Sequence, residues 1–179
     1  MAKPTGDHPT SAHKRLLVMR HAKSDWDSEA KTDHERPLNP RGRREAPAVA
    51  KLLRAKGYLP DLVISSDSQR TRETWERIED ELGRPRMIFE AALYLAGADV
   101  LRGVLERLSC DLANVSTLLV LGHNPGWEEV VRSLTGRGVD LKTASAAVLE
   151  STHVNDSFGE ALARNHGFKL LEIVKPDGD

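Results

Sequence analysis

The sequence has very little of what holds disulfide-rich or metal-bound proteins together. Cys110 is the single cysteine in 179 residues, so the chain can form neither an internal disulfide nor a thiolate-rich metal site. There are seven histidines, but they form no HExxH pattern and have no paired cysteines beside them. We therefore expect no metal ion and no other cofactor.

Long apolar runs and an excess of one charge are also absent. No apolar stretch approaches the roughly 20 residues of a membrane span, and residues 1–13 lack the apolar core of a signal peptide. The 26 Lys and Arg residues balance 27 Asp and Glu residues, which argues against nucleic-acid binding. We expect a soluble, cytoplasmic protein with no membrane or nucleic-acid partner. The sequence indicates no oligomeric state.

Length and composition predict one domain between two short tails. A chain of 179 residues with 39% hydrophobic residues suits a single globular core. Residues 1–13 are small, polar and proline-containing, which is typical of a poorly ordered tail. We expect the domain to span residues 14–175, followed by a C-terminal tail at 176–179.

Short apolar runs alternate with segments of helical period, which predicts a three-layer α/β/α sandwich around a mostly parallel central sheet. Pro47 falls inside the first predicted helix and predicts a kink there or a later start. The stretch 151–166 gives no clear prediction. Strands are predicted at 16–19, 62–64, 87–89 and 118–121, with outer strands at 146–149 and 168–174. Helices are predicted from Asn39 and Pro40 to just before Gly57, from Trp75 to Gly83, from Val100 to Leu108, and through Val130 and Leu134.

Three predicted strands end in an unusual set of polar residues. Arg20 and His21 follow the first strand, two serines and then Arg70 follow the second, and His123 follows the fourth. In open α/β sheets, ligands bind beyond the carboxyl ends of the strands, so we expect these side chains to face one cavity. A cavity of histidines and arginines suits an anion, and arginine matches phosphate oxygens well.

These residue types predict chemistry at phosphorus. A neutral His21 imidazole can attack phosphorus and carry the phosphoryl group as a covalent intermediate, which water then hydrolyses. Nearby cations should keep His21 unprotonated, and a backbone carbonyl on its other nitrogen would hold the tautomer. We expect Arg20 and Arg70 to neutralise the charge of the phosphoryl oxygens. We expect a ring N–H of His123 to donate a hydrogen bond to one of these oxygens.

Four motifs in order resemble the histidine phosphatase superfamily, which is phosphoglycerate mutase-like, and above all its SixA-like phosphohistidine phosphatase branch. Ala22 stands where the superfamily more usually has glycine. The turn at 143–146 is similar to a late threonine/serine turn of that branch. The four motifs are LVMRHAKS at 17–24, RPLNPRG at 36–42, SSDSQRTRET at 65–74 and GHNPG at 122–126.

The resemblance covers about residues 14–175 and implies a phosphoglycerate mutase-like fold. It implies that His21 is the phosphorylated nucleophile and that Arg20, Arg70 and His123 form the phosphate pocket. The implied activity is a metal-independent phosphatase, acting on phosphohistidine in a protein. A small-molecule phosphomonoesterase of the same superfamily and a non-catalytic phosphate-binding module remain alternatives.

The resemblance also implies an acid that this sequence lacks. Relatives usually carry a glutamate as proton donor after the third strand, whereas the segment from Glu90 to Tyr94 places alanine there. Glu90 is the nearest candidate for the proton donor, with Asp25, Asp27 and Glu35 as alternatives. An alkoxide leaving group needs a proton far more than an imidazole does, so the missing acid favours phosphohistidine over simple phosphate esters.

Lys23, Arg36 and Thr143 complete the predicted site as substrate-binding residues. The two cations are expected to help recruit phosphate or an acidic partner. The partner is expected to be a phosphohistidine-bearing protein or a small phosphorylated substrate. Trp26 and Trp127 flank the two histidine motifs, and we expect them to pack in the core or at the rim of the pocket.

Overall fold

The computed structural model describes residues 13–176, so the two predicted tails lie outside the described residues except for His13 and Pro176. A six-stranded sheet forms the middle layer. Its strands are β1 (Arg15–Arg20), β2 (Leu62–Ser65), β3 (Arg86–Phe89), β4 (Thr117–Gly122), β5 (Ala146–Ser151) and β6 (Phe168–Val174). The helices are α1 (Pro40–Ala55), α2 (Gln69–Ile78), α3 (Ala98–Arg107), α4 (Ser109–Leu112), α5 (Gly126–Thr135) and α6 (Phe158–Ala163).

The sheet is mostly parallel, as predicted. Its strand order is β3-β2-β4-β1-β5-β6. The pairs β3/β2, β2/β4 and β4/β1 are parallel, whereas β5 runs antiparallel to both β1 and β6. Central strands β1, β2 and β4 consist of apolar runs that are buried on both faces, which is why they show no polar alternation in the sequence.

Two apolar cores, one on each face of the sheet, make the predicted three layers. Alternate residues of β1 divide between them because successive side chains on a strand point to opposite faces. Leu16 and Val18 join the core beneath α3, α4, α5 and α6. Leu17 and Met19 join the core beneath α1 and α2. None of the helices in the described range is long and apolar enough to cross a membrane.

The first helix begins where the sequence predicts and runs on through its proline. The Asn39 side chain caps α1 by accepting a hydrogen bond from the backbone of Gly42 at 2.9 Å, and Pro40 occupies the first helical position. Pro47 lies inside the helix, so the predicted later start is wrong.

One helix prediction needs correction, and one helix lies in a stretch for which no element was predicted. Helix α2 ends at Ile78 rather than at Gly83, because the backbone N–H of Arg84 turns back to the carbonyl of Glu79 at 2.8 Å and closes the chain into a turn. The stretch 151–166 contains α6, which begins with a capping box between Ser157 and Glu160.

The strand ends that carry the predicted site lie in register. Arg20 at the end of β1 pairs with Gly122 at the end of β4, and Ser65 at the end of β2 pairs with Leu121. The pairing continues one residue further, since the backbone of His21 donates to Gly122 and that of Ser66 donates to Leu121, each at 3.0 Å. The three loops that follow therefore start from one edge of the sheet.

Candidate active site

A cavity of about 350 Å³ opens beyond the carboxyl ends of β1, β2 and β4. The residues predicted to be catalytic all line it, and so do the three predicted to bind substrate. These are Arg20, His21, Arg70 and His123, with Lys23, Arg36 and Thr143. A second cavity of about 260 Å³ lies against α3, α4 and α6, away from these residues, and its walls are mainly apolar.

His21 presents one unprotonated ring nitrogen to the cavity. Its Nδ1 lies 2.7 Å from the backbone carbonyl oxygen of Ala22, so Nδ1 carries the proton and Nε2 keeps a lone pair. Arg70 Nε donates to this Nε2 at 3.3 Å. Burial lowers the pKa of His21 well below its usual value, and the charges of Arg70 and Arg20 lower it further, against the opposing hydrogen bond to Ala22. The ring is therefore a neutral imidazole at neutral pH.

His123 lies next to His21, with 5.2 Å between the ring centroids. Its Nε2 is 2.9 Å from Ser66 Oγ, and Ser66 Oγ in turn accepts from the backbone of Ser68 at 3.4 Å. Among the described contacts, His123 Nε2 is the one acceptor within reach of the Ser66 hydroxyl proton, so we assign Ser66 as the donor and place the ring proton of His123 on Nδ1. Burial and the charge of Arg70 lower the pKa of His123 to about 3, so the ring is neutral but still bears one N–H.

Several hydrogen-bond donors at this cavity are buried and have no partner among the described residues. They are Arg20 Nε, Arg36 Nε and Nη1, and His123 Nδ1. An unpaired buried donor costs roughly 1–3 kcal/mol, and such atoms are uncommon in folded proteins. These N–H groups are therefore available to donate hydrogen bonds to an oxyanion in the cavity.

Asp33 is one of two site residues, with Tyr94, that sequence analysis missed. One of its carboxylate oxygens accepts from Arg70 at 3.0 Å and from the Tyr94 hydroxyl at 2.5 Å, and the other pairs with Arg36 at 2.9 Å. Burial disfavours the ionised form of Asp33, but Tyr94, Arg70 and Arg36 outweigh it and lower the pKa of this carboxyl. Asp33 is therefore an ionised group that orients two arginines. The sequence feature that could have indicated Asp33 is its position three residues before Arg36, with which it forms an ion pair.

The structure does not bring Glu90 into the cavity. Its carboxylate accepts from the backbone of Ala92 at 3.2 Å and forms an ion pair with Arg107 of α3. The chain turns after β3 into a short 3-10 segment, Ala91–Leu93, which Glu90 caps. The prediction of Glu90 as proton donor therefore has no geometric support, and Asp25, Asp27 and Glu35 do not line the cavity either.

After β3, it is Tyr94 rather than Glu90 that contacts the residues of the site. Its ring packs edge-on against His123, with 5.4 Å between centroids, and the Arg70 guanidinium carbon lies 5.6 Å from its centroid. Burial and the hydrogen bond to Asp33 raise the pKa of the Tyr94 hydroxyl above its usual value. Tyr94 thus stays protonated and helps to hold Asp33 in position.

The two tryptophans have different environments. Trp127 is buried in the core, and its Nε1 donates to the carbonyl of Val120 at 3.2 Å. Trp26 is 73% exposed and lines the cavity, with the Arg36 guanidinium carbon 3.5 Å from its ring centroid. Rim packing is therefore confirmed for Trp26 and core packing for Trp127.

The described residues contain no group of three or more His, Cys, Asp or Glu side chains arranged to hold a metal ion. The cavity contains a neutral imidazole with one unprotonated nitrogen, surrounded by arginine N–H groups and a second imidazole N–H. This combination can bind an oxyanion such as a phosphoryl group and attack its central atom.

Comparisons with known proteins give the family and the fold of this chain. The model of the histidine phosphatase superfamily (branch 1) matches residues 16–94. The uncharacterized chloroplastic protein At3g52155 of Arabidopsis thaliana is 36% identical over 179 residues, covering 94% of this chain and 80% of the relative. The uncharacterized protein Rv1276c of Mycobacterium tuberculosis is 39% identical over 107 residues, covering 60% of this chain and 63% of the relative.

Solved structures with the same fold include proteins assigned as the phosphohistidine phosphatase SixA. The one from Nakamurella multipartitia is 27% identical, with a TM-score of 0.74 and coverage of 93% of this chain and 98% of that one. The one from Agrobacterium tumefaciens is 23% identical, also with a TM-score of 0.74, and covers 91% of this chain and 98% of that one.

Fold and matches together define the class of this protein as a phosphatase. More narrowly, the chain belongs to the histidine phosphatase superfamily and has a SixA-like, phosphoglycerate mutase-like fold. The family and fold expected from the sequence motifs are confirmed.

Proposed function

We propose that this protein hydrolyses phosphohistidine in a protein substrate through a covalent phosphohistidine intermediate on His21. The observation that carries the proposal is the unprotonated Nε2 of His21, which lies 3.3 Å from Arg70 Nε and shares one cavity with the N–H donors of Arg20, Arg36 and His123. A phosphoryl group in the cavity would accept hydrogen bonds from these donors while its phosphorus faces the Nε2 lone pair.

The first step transfers the phosphoryl group to the enzyme. His21 Nε2 donates its lone pair to phosphorus as the bond from phosphorus to the leaving group breaks, and the leaving group takes that electron pair. Arg20, Arg36 and Arg70 neutralise the phosphoryl oxygens, and His123 Nδ1–H donates to one of them. Lys23 and Thr143 are proposed as further contacts to the substrate at the cavity wall.

The second step releases inorganic phosphate. A water oxygen attacks phosphorus, the bond from phosphorus to His21 Nε2 breaks, and the electron pair returns to the imidazole. The hydrogen bond from Nδ1 to the Ala22 carbonyl at 2.7 Å holds the ring in one tautomer and orientation through both steps. The water proton passes to phosphate or solvent, so His21 ends as it began.

The state of the carboxylate in the cavity supports phosphohistidine as the substrate. Among the described residues that line the cavity, Asp33 is the one carboxylate. Because its pKa is lowered and its oxygens accept from three donors, Asp33 is a poor proton source. An alkoxide would have to leave without the proton that a general acid supplies, a contribution of about 10²–10⁴ in rate. An imidazole already protonated on its far nitrogen leaves as a neutral molecule and needs no such acid.

The experiment compares a phosphohistidine-bearing protein with alkyl phosphate esters under one condition. We expect kcat/KM for the phosphohistidine protein to exceed that for the esters by about 10²–10⁴, and His21→Ala to abolish turnover of both. Faster hydrolysis of the esters would instead support a small-molecule phosphomonoesterase. Tight phosphate binding without any turnover would support a binding module.

Metal independence is part of the same proposal, because guanidinium groups supply the positive charge that a metal ion would otherwise provide. We expect the rate to be unchanged after dialysis against a chelator. A loss of activity that added Mg²⁺ or Zn²⁺ restores would contradict this.

A further inference from the structure

Two large hydrophobic side chains are exposed at the mouth of the catalytic cavity. Trp26 is 73% exposed and Leu95 is 57% exposed, and both line the cavity. Isolated exposed hydrophobic residues are common on protein surfaces, but a pair of them flanking one concave site is typical of an interaction surface. A phosphoryl dianion is bound by cations and uses neither side chain, so the pair needs another explanation.

Trp26 packs against Arg36 although it is exposed. The Arg36 guanidinium carbon lies 3.5 Å from the centroid of the indole ring, and Arg36 is itself fixed by Asp33 at 2.9 Å. The loop that carries Trp26 is closed at its base by a bridge between Ser24 and Leu38. A ring held in place before binding loses little conformational freedom when a partner packs against it.

Leu95 is held outward by its backbone. Its φ angle of 53° lies in the left-handed region, which costs a non-glycine residue about 1–2 kcal/mol. The neighbours Leu93 and Ala96 are buried, and Tyr94 is bonded to Asp33, so the surrounding structure imposes this conformation. Strain of this kind concentrates at binding and catalytic sites.

The catalytic cavity also continues outward past Trp26. A surface groove of about 240 Å³ shares Trp26, Asp33 and Arg36 with the cavity and extends over Ser28 and Lys31. A small phosphorylated molecule fits within the inner cavity of about 350 Å³ and has no need of this extension. A protein that carries its phosphoryl group on a surface side chain would lay its neighbouring residues across the groove and the rim.

We infer that Trp26 and Leu95 anchor a docking rim for a folded protein that presents a phosphohistidine on its surface. The partner would place apolar side chains against these two residues, and an acidic side chain would suit the exposed Lys31. This inference rests on the proposed function and extends it, since it assigns residues outside the phosphoryl pocket to the choice of a protein over a small substrate.

The test compares Trp26→Ala and Leu95→Gly on two substrates, a phosphohistidine-bearing protein and phosphoramidate. For the protein, we expect kcat/KM to fall at least about tenfold in each variant, mainly through KM, because anchors of this type contribute strongly to binding. For phosphoramidate, the loss should be smaller by a factor of about ten or more. Leu95→Gly should fold normally, because glycine adopts a positive φ without strain.

Leu171→Ala is the matched control. Leu171 is 40% exposed and lies on β6, away from the cavity-lining residues, so both activities should match the wild type. Equal losses on the two substrates in the rim variants, or no loss on the protein, would overturn the inference while the proposed function stands. A wild-type protein that hydrolyses phosphoramidate but not the phosphohistidine protein would instead overturn the proposed function itself.

Discussion

Acidification should destabilise this protein through His123, and the structure gives the size of the effect. The pKa of His123 is about 3 in the folded protein, whereas a histidine in an unfolded chain has a pKa of about 6.5. Below the unfolded value, the unfolded chain binds a proton that the folded ring does not bind. The contribution of His123 to stability is therefore fully present above about pH 6.5 and is lost as the pH falls.

The magnitude follows from the two pKa values. At about pH 5 the unfolded state gains about 2 kcal/mol from protonating this one ring, at 1.36 kcal/mol per pKa unit. His123→Asn removes that contribution. The decrease in the free energy of unfolding between about pH 7 and pH 5 should therefore be about 2 kcal/mol smaller in the variant than in the wild type. His21 acts in the same direction and is still present, so part of the pH dependence should remain.

Urea unfolding at the two pH values measures this difference directly. The absolute stability of the variant does not matter, because the comparison concerns its change with pH. His153→Asn is the matched control, since its ring lies at the surface and contacts the Thr152 hydroxyl at 3.0 Å. If the free energy of unfolding of His123→Asn falls between about pH 7 and pH 5 as much as that of the wild type, the lowered pKa of His123 does not contribute to acid destabilisation.

Two further predictions concern packing and charge. In Gly42→Ala, the new Cβ would lie 2.2 Å from the backbone carbonyl oxygen of Lys23, so we expect a loss of about 1–3 kcal/mol in thermal unfolding. Gly103→Ala, which meets no atom within 4 Å, should instead be neutral or stabilising, and the opposite order would contradict the packing argument. In Asp33→Asn, Arg36 and Arg70 lose their fixed orientation while the cavity becomes more positive. We therefore expect kcat for phosphoramidate to fall about tenfold to a hundredfold without a rise in KM, and a rise in KM alone would contradict this role.

The parts of the site that could be predicted from the sequence sit at the ends of apolar runs. Arg20 is the last residue of β1, and His21 and His123 directly follow β1 and β4. Strands buried on both faces leave a strong signal in the sequence. Because parallel strands bring their carboxyl ends to one edge, adjacency along the chain was enough to bring these residues together. The same reasoning predicted that Arg70, in the first turn of α2, would join them.

The remainder depends on contacts that local sequence does not encode. Asp33 and Tyr94 lie 61 positions apart in loops whose paths are set by tertiary packing, so neither showed a periodic signal. Glu90 was wrongly predicted as the proton donor because its position after β3 does not reveal its ion pair with Arg107, 17 positions away. Helix α6 was missed because its six residues are too few for a helical period to show.

Trapping the phosphorylated enzyme tests most directly whether His21 is the nucleophile. The protein would be mixed briefly with ³²P-labelled substrate, quenched in alkali and mapped by peptide. We expect acid-labile, alkali-stable label on Nε2 of His21, because Nδ1 is occupied by its hydrogen bond to Ala22. An acid-stable label, or turnover with no label on His21, would contradict covalent catalysis by this residue.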